Sequence, residues 1–206
     1  MNHQPHIPFF LEGKTVVLAS RSPRRQELLR LITEDFTVRV SHFDEGPLMA
    51  KAESLSPEEL VKALSAGKAQ AVLGEAAGPG VLVIGGDTVV VSPSAEIFGI
   101  PRDREDAARM LRALSGQIHR VVTGMTICGD GSAFSFAVST DVEFYPLSET
   151  EIAAYLDTGE PFDKAGGYGI QGYGGLLVRG IRGSYDNVVG LPAAELNRNL
   201  RKFCQK

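Results

Sequence analysis

Three stretches of this sequence gather groups that could hold and attack a phosphate. The first is Ser20-Arg21-Ser22-Pro23-Arg24-Arg25, directly after the β-branched run Thr15 to Ala19. Ser22 is a good N-cap and Pro23 suits the first helical position, so the turn sets backbone N–H groups at a helix N-terminus beside two guanidinium groups. Cations at the positive end of a helix dipole are mildly unfavourable, so a purely structural surface helix has no use for them there. An anion site does. No GxxxxGK[ST] pattern occurs, which sets a Walker-type nucleotide site aside.

The second stretch is Gly85-Gly86-Asp87-Thr88, a carboxylate between the apolar runs Val81 to Gly85 and Val89 to Val91. Asp is depleted in strands. Asp87 is therefore either a turn residue bonding local backbone or a metal ligand or general base, with glycines that let another group approach the backbone closely. The third is the glycine-dense run Asp163 to Gly172, with Lys164 and Gln171 embedded in it. Ordering so much glycine costs entropy that packing alone seldom offsets, and a ligand would. Lys68 joins the set because it falls on the apolar stripe of its helix, between Leu64 and Val72. A charge there is costly without a partner. It either snorkels to water or waits for a phosphate, in which case it has no partner in the ligand-free core. His119 reads as structural, and His3, His6 and His42 as incidental. Nothing has the arrangement of a Ser-His-Asp triad or a zinc cluster.

These residues need elements to position them. After the first strand and helix, with Leu28, Leu29 and Ile32 on the helix's buried face, Phe36 to Val40 reads as a second strand. Asp44-Glu45-Gly46-Pro47 reads as loop. Ser56-Pro57-Glu58-Glu59 is a capping box opening the helix that carries Lys68. Asp103 caps a helix through Ala107, Met110, Leu111 and Leu114, and two long strands follow over Arg120 to Cys128 and Phe134 to Tyr145, joined as a hairpin through Gly129-Asp130-Gly131. Ser148 to Glu151 is a second capping box, and Pro192 starts a last helix with Leu196, Leu200 and Phe203 on its apolar face. Strands alternating with helices imply an α/β protein with a mixed sheet, and a single fold with a cleft rather than two independent domains.

Composition bounds the function classes. The chain has 206 residues, 43% hydrophobic and 22% charged, which is a folded globular composition. Its net charge of -4 argues against a general grip on nucleic-acid backbone, so any anion site is local. The two cysteines, Cys128 and Cys204, have no metal-ligand spacing and suit a reducing compartment. No apolar run reaches spanning length and the N-terminus has no signal-peptide pattern, so no membrane association is expected and the cytoplasm is the default address.

The runs Leu18 to Leu29, Gly86-Asp87-Thr88-Val89-Val90, Leu114-Ser115-Gly116, Gly159 to Gly166, Tyr168 to Gly172 and Asn187 to Pro192 are long and unusual in composition. In this order they resemble the Maf family of nucleoside triphosphate pyrophosphatases. The resemblance implies an elongated mixed β-sheet flanked by helices with a nucleotide-binding cleft, of the Maf/inosine triphosphatase-like kind. It divides the chain into an N-terminal extension, residues 1–14, and a single domain, 15–206. The implied activity is hydrolysis of a nucleoside triphosphate to the monophosphate and pyrophosphate with a divalent metal cation, Mg first and Mn or Co as alternatives. Asp87 matches the family's proton acceptor and, with Glu45, its metal-binding carboxylates. Ser20, Arg25, Lys68 and Lys164 fall on positions that hold the triphosphate. Arg24, Thr88 and Gln171 fall on those that set base choice, in the pattern of the branch acting on dTTP and UTP. The substrate is the only partner implied, with no nucleic-acid polymer; a homodimer stands as an option.

One departure matters. Where the family reads Gly-Lys-Pro this chain reads Gly99-Ile100-Pro101, so a phosphate-facing lysine is missing and Arg102 is the nearest substitute, planar and longer than lysine. That departure supports a rival reading: a catalytically impaired nucleotide-binding regulator of the same fold, linked to septum formation or cell division.

Overall fold

A computed structural model describes residues 8–76 and 78–205. His3, His6 and the first half of the N-terminal extension lie outside the described residues. In chain order the elements are β1 (Thr15–Ala19), α1 (Pro23–Leu29), β2 (Thr37–Val38), α2 (Gly46–Met49), α3 (Pro57–Ala76), β3 (Val81–Val91), β4 (Ile97–Phe98) and α4 (Arg104–Leu114). There follow β5 (Ile118–Gly129), β6 (Ser132–Phe144), α5 (Glu149–Asp157), β7 (Val178–Arg182), α6 (Tyr185–Val189) and α7 (Ala193–Cys204), with short 3-10 turns between. The fold is α/β, and the seven strands form one mixed sheet in the order β2-β1-β3-β5-β6-β7 with β4 on β3. β1 runs parallel to both β2 and β3, with Thr15 opposite Val81 and Ala19 opposite Gly85. β4 and β7 pair antiparallel with β3 and β6.

The chain divides into two compact units, and β3, β5 and β6 each pass from one to the other. The first holds residues through Asp87, Gly124–Ala137 and Gly190 onward. Its core includes Val17, Ala19, Val81 and Val83 from the parallel strands, covered by Ala69 and Val72 of α3, with Cys128. Parallel strands covered in this way read as continuous apolar runs, which is what Val81 to Ile84 is. The second holds Thr88–Thr123 and Val138–Val189. Its core joins α4 and α5 to the ends of β3, β5 and β6 through Phe98, Leu111, Leu114, Phe144, Tyr155 and Tyr168.

The local signals hold where they carry a mechanism. Ser22 caps α1 by accepting from Arg25 N at 3.4 Å, Asp103 caps α4 by accepting from Asp106 N at 2.8 Å, and both capping boxes close reciprocally at Ser56/Glu59 and Ser148/Glu151. The hairpin turn is Asp130-Gly131, a pair suited to a two-residue connection. Two expectations are corrected. The strand over Phe36 to Val40 shrinks to Thr37–Val38, both exposed, because it is the sheet's last strand with one neighbour and no cover. The Asp44 to Pro47 loop winds into α2 from Gly46. Phe203 is half-buried. β7 carries no sequence signal because its VRGIR run alternates charge with apolar residues, has glycine at its centre and buries nothing fully.

Candidate functional site

Asp87 sits mid-way along β3, so it is a strand carboxylate and not a turn residue. The residues before it explain how it finds a partner. A Cβ at Gly85 would run into the Ser65 carbonyl, so only glycine lets α3 lie this close to β3. Lys68, one turn further along α3, then reaches Asp87 with Nζ 2.6 Å from Oδ1. The same ammonium lies 2.9 Å from Glu45 Oε1. Glu45 is delivered by its neighbours: the Phe43 ring packs where a Cβ on Gly67 would be, and Asp44 Oδ1 accepts from Gly46 N at 3.0 Å, turning the chain into α2. Lys68 was expected to lack a partner in the ligand-free core; it bridges two carboxylates instead, which is how an ammonium on an apolar helix stripe avoids the cost of desolvation.

Arg25 completes this unit's charged set. Its Nε donates to the Gly190 carbonyl at 2.8 Å and its Nη1 to Ser20 Oγ at 3.3 Å. Ser20 is buried and also accepts from Ser22 N. Two of the N–H groups expected to be free at the start of α1 are thus used internally, at Ser22 and Arg25. Anion-binding capacity here lies in the Arg25 and Ser20 side chains more than in a seven-residue helix end. Arg24 is half-buried in the first turn beside Arg25. Burial depresses the Arg25 guanidinium pKa, while the Asp87 charge works the other way. Burial pushes the Asp87 carboxyl above the usual carboxylate range, the Glu45 charge adds to the rise, and Lys68 and Arg25 pull it back. A carboxylate raised in this way is a better base.

A divalent cation such as magnesium favours hard oxygen donors. Two hard carboxylate oxygens, Glu45 Oε1 and Asp87 Oδ1, already converge on one positive charge, so the donor set fits. Among the described residues no group of three or more His, Cys, Asp or Glu side chains is arranged to hold a metal. A cation here would take its remaining ligands from phosphate and water, the usual manner for Mg, which is held by one or two carboxylates plus substrate phosphate.

The second unit holds the other sequence candidates. Thr88 follows Asp87 in β3 and its Oγ1 lies 3.0 Å from Thr123 Oγ1. Lys164 donates to Asp163 Oδ1 and the Glu160 carbonyl, each at 2.6 Å. Gln171 is half-buried at the start of a 3-10 turn. The glycine run is pinned by three side chains. Glu160 Oε2 accepts from Tyr173 N and Gly174 N at 3.0 and 3.3 Å, Tyr155 Oη accepts from Gly169 N at 3.1 Å, and Tyr168 Oη is 2.7 Å from His119 Nε2. These anchors offset the ordering cost that had pointed to a ligand. Arg102, the substitute considered for the missing lysine, bonds Asp106 at 3.3 Å and is otherwise exposed, as is Ile100. Thr123 carries no local sequence signal, because its contacts to Thr88 and Asn187 span 35 and 64 residues of chain.

In chemical class the first unit's centre suits a polyanion and its counter-ion. The chain belongs to the Maf-like family, whose model matches residues 15–203. A dTTP/UTP pyrophosphatase of Bacillus velezensis is 47% identical over 190 residues, 92% of this chain and 97% of that protein. A dTTP/UTP pyrophosphatase of Vibrio cholerae is 47% identical over 188 residues, 91% and 97% of the two chains. Among solved structures, that of the Staphylococcus aureus Ham1 protein overlaps 64% of this chain and 72% of its own, at 15% identity and a TM-score of 0.39, too low to bear on the fold.

Proposed function

We propose that this chain hydrolyses nucleoside triphosphates, dTTP and UTP ahead of others, to the monophosphate and pyrophosphate. What carries the reading is the buried Asp87 carboxylate held 2.6 Å from Lys68, in a member of the Maf-like family whose relatives are named for this activity. Asp87 takes a proton from the attacking water as its oxygen bonds to the α-phosphorus. The bond from that phosphorus to the bridging oxygen breaks, and pyrophosphate leaves with the β- and γ-phosphates. Ser20, Arg25 and Lys68 hold phosphate oxygens, Arg25 as a planar two-point donor and Lys68 as a point charge. Glu45 and Asp87 would hold a divalent cation, magnesium first, which when bound neutralises phosphate charge.

Roles for Lys164, toward phosphate, and for Arg24, Thr88 and Gln171, toward the base, rest on their match to the family's motifs. No helix among the described residues is long and apolar enough to cross a membrane, and a cytoplasmic address goes with the activity. The regulator reading draws only on Ile100 and on Arg102 being engaged with Asp106. Pyrophosphate release across a panel of nucleoside triphosphates with magnesium tests both. An enzyme releases pyrophosphate from dTTP and UTP; a regulator shows a rise in Tm with the same nucleotides and no release.

A further inference from the structure

Thr88 Oγ1 and Thr123 Oγ1 are 3.0 Å apart, and either could give the proton. The neighbouring bonds decide which does. Thr123 Oγ1 lies 3.0 Å from the Asn187 backbone carbonyl, which can only accept, so the single hydroxyl proton of Thr123 is spent there. Thr123 therefore accepts from Thr88, and the Thr88 proton is spent as well. Toward any other group Thr88 Oγ1 can then only accept.

The arrangement has little freedom to invert. Thr123 and Asn187 are fully buried. Asn187 Nδ2 donates to the Val121 carbonyl and to Thr140 Oγ1, both at 3.0 Å, and the carbonyl can only accept, so the amide cannot be flipped. Thr140 in turn spends its own proton on the Ser184 carbonyl at 3.1 Å, which leaves it accepting from Asn187.

We propose that Thr123, held in place by Asn187, is a positioning residue for base specificity: it makes the Thr88 hydroxyl an obligate acceptor. An obligate acceptor pairs with the N3–H of uracil or thymine and opposes the N3 lone pair of cytosine. This inference rests on the reading that Thr88 meets the base.

The test is the ratio of kcat/KM for UTP over CTP. Thr123→Val keeps the shape but cannot accept, so the Thr88 proton is released and can turn to the base. The ratio falls about tenfold, mainly by a gain for CTP. Thr123→Ser restores the acceptor and the original ratio. A merely structural role would lower both substrates alike, and an unchanged ratio overturns the proposal. Because the valine variant leaves the Asn187 carbonyl without its donor, a second measurement uses the unmodified protein. 4-Thio-UTP keeps N3–H and remains within about threefold of UTP, whereas the triphosphate of 2-pyrimidinone riboside, with a lone pair at N3, falls about tenfold or more. Similar rates for those two analogues sink the inference while UTP is still preferred over GTP. Equal rates for UTP and GTP sink the underlying reading of Thr88 and the inference with it.

Discussion

Asp87 and Thr88 are consecutive residues of one strand, yet the regions they belong to work on different principles. Around Asp87 the first unit gathers formal charge: two carboxylates, the Lys68 ammonium within 2.9 Å of both, and the half-buried Arg25. Around Thr88 the second unit gathers neutral donors and acceptors, Thr123, Asn187 and Thr140, joined by hydrogen bonds that each run in one direction. Charge in a desolvated setting acts strongly and with little regard to direction, which suits a phosphate chain common to every nucleotide. A neutral hydrogen bond is weaker and depends on which side carries the proton, which suits telling one base from another.

The most severe break of the charged region is Asp87→Asn, which keeps the shape and removes the proposed base. Pyrophosphate release should fall by about 10³-fold, within the usual range for a general base, while Tm holds. Near-normal release would remove Asp87 from its role.

Lys68→Ala should lower kcat/KM by about 10²-fold, from loss of a charge-assisted phosphate contact and of the pair with Asp87. It should also lower stability, because both partners are largely buried and breaking such a pair typically costs 3–5 kcal/mol, so about 3 kcal/mol is expected. The sign with pH follows from Asp87, whose pKa is raised on folding by burial and rises further without the ammonium. The folded state then disfavours the charged carboxylate, so the loss is small in acid and grows as pH climbs through the raised value. Lys164→Ala makes the contrast: its ion-pair partner Asp163 is exposed, so stability should change by less than about 1 kcal/mol while KM for the triphosphate rises. Thermal melts at pH 5 and 8 beside steady-state kinetics would distinguish the two lysines, and identical melts would refute the difference.

In the neutral region, burial depresses the His119 pKa from 6.5 to about 4. The unfolded chain therefore binds that proton first as pH falls. The contribution is complete above 6.5 and is lost between 6.5 and 4, amounting to at most about 3 kcal/mol. Urea midpoints at pH 4.5 and 7.5 should show this loss, and His119→Gln should flatten it; an unaltered slope in the variant would place the titration elsewhere.

The smallest effect concerns selectivity. Gln171→Ala should flatten the preference for UTP over GTP by about tenfold or less while overall rate changes little, since a single neutral hydrogen bond is at stake. Arg24→Ala should reduce both rate and preference. A Gln171→Ala protein with undiminished selectivity would assign the base edge to other groups.

Much of this was legible before any coordinates. Asp87 stood out because an Asp between apolar half-strands breaks the expected pattern, and the caps at Ser22, Ser56, Asp103 and Ser148 are local hydrogen-bond devices written within four residues. The charges at Arg25 and Lys68 were visible for the same reason: each offends a local rule, a cation at a helix N-terminus or on an apolar stripe. Their resolution was not visible. In the sequence Lys68 leaves snorkelling to water and a phosphate both open, and only the approach of α3 over Gly85 shows it bridging Glu45 and Asp87. The glycine run in the sequence favours a ligand over packing alone as the source of its order, and the fold adds side-chain anchors from Glu160, Tyr155 and His119.

By itself, then, the sequence determined the kinds of element, their caps, the odd residues that stand out as candidates for an anion site, and the family. Each of these is set by neighbours in the chain or by motifs of a few residues. The tertiary structure alone decided which charges neutralise one another and which hydroxyls and amides meet. Those depend on pairs such as Thr88 with Thr123 and Thr123 with Asn187, distant in the chain and chemically ordinary as residue types, whose meaning arises when burial removes water as the alternative partner.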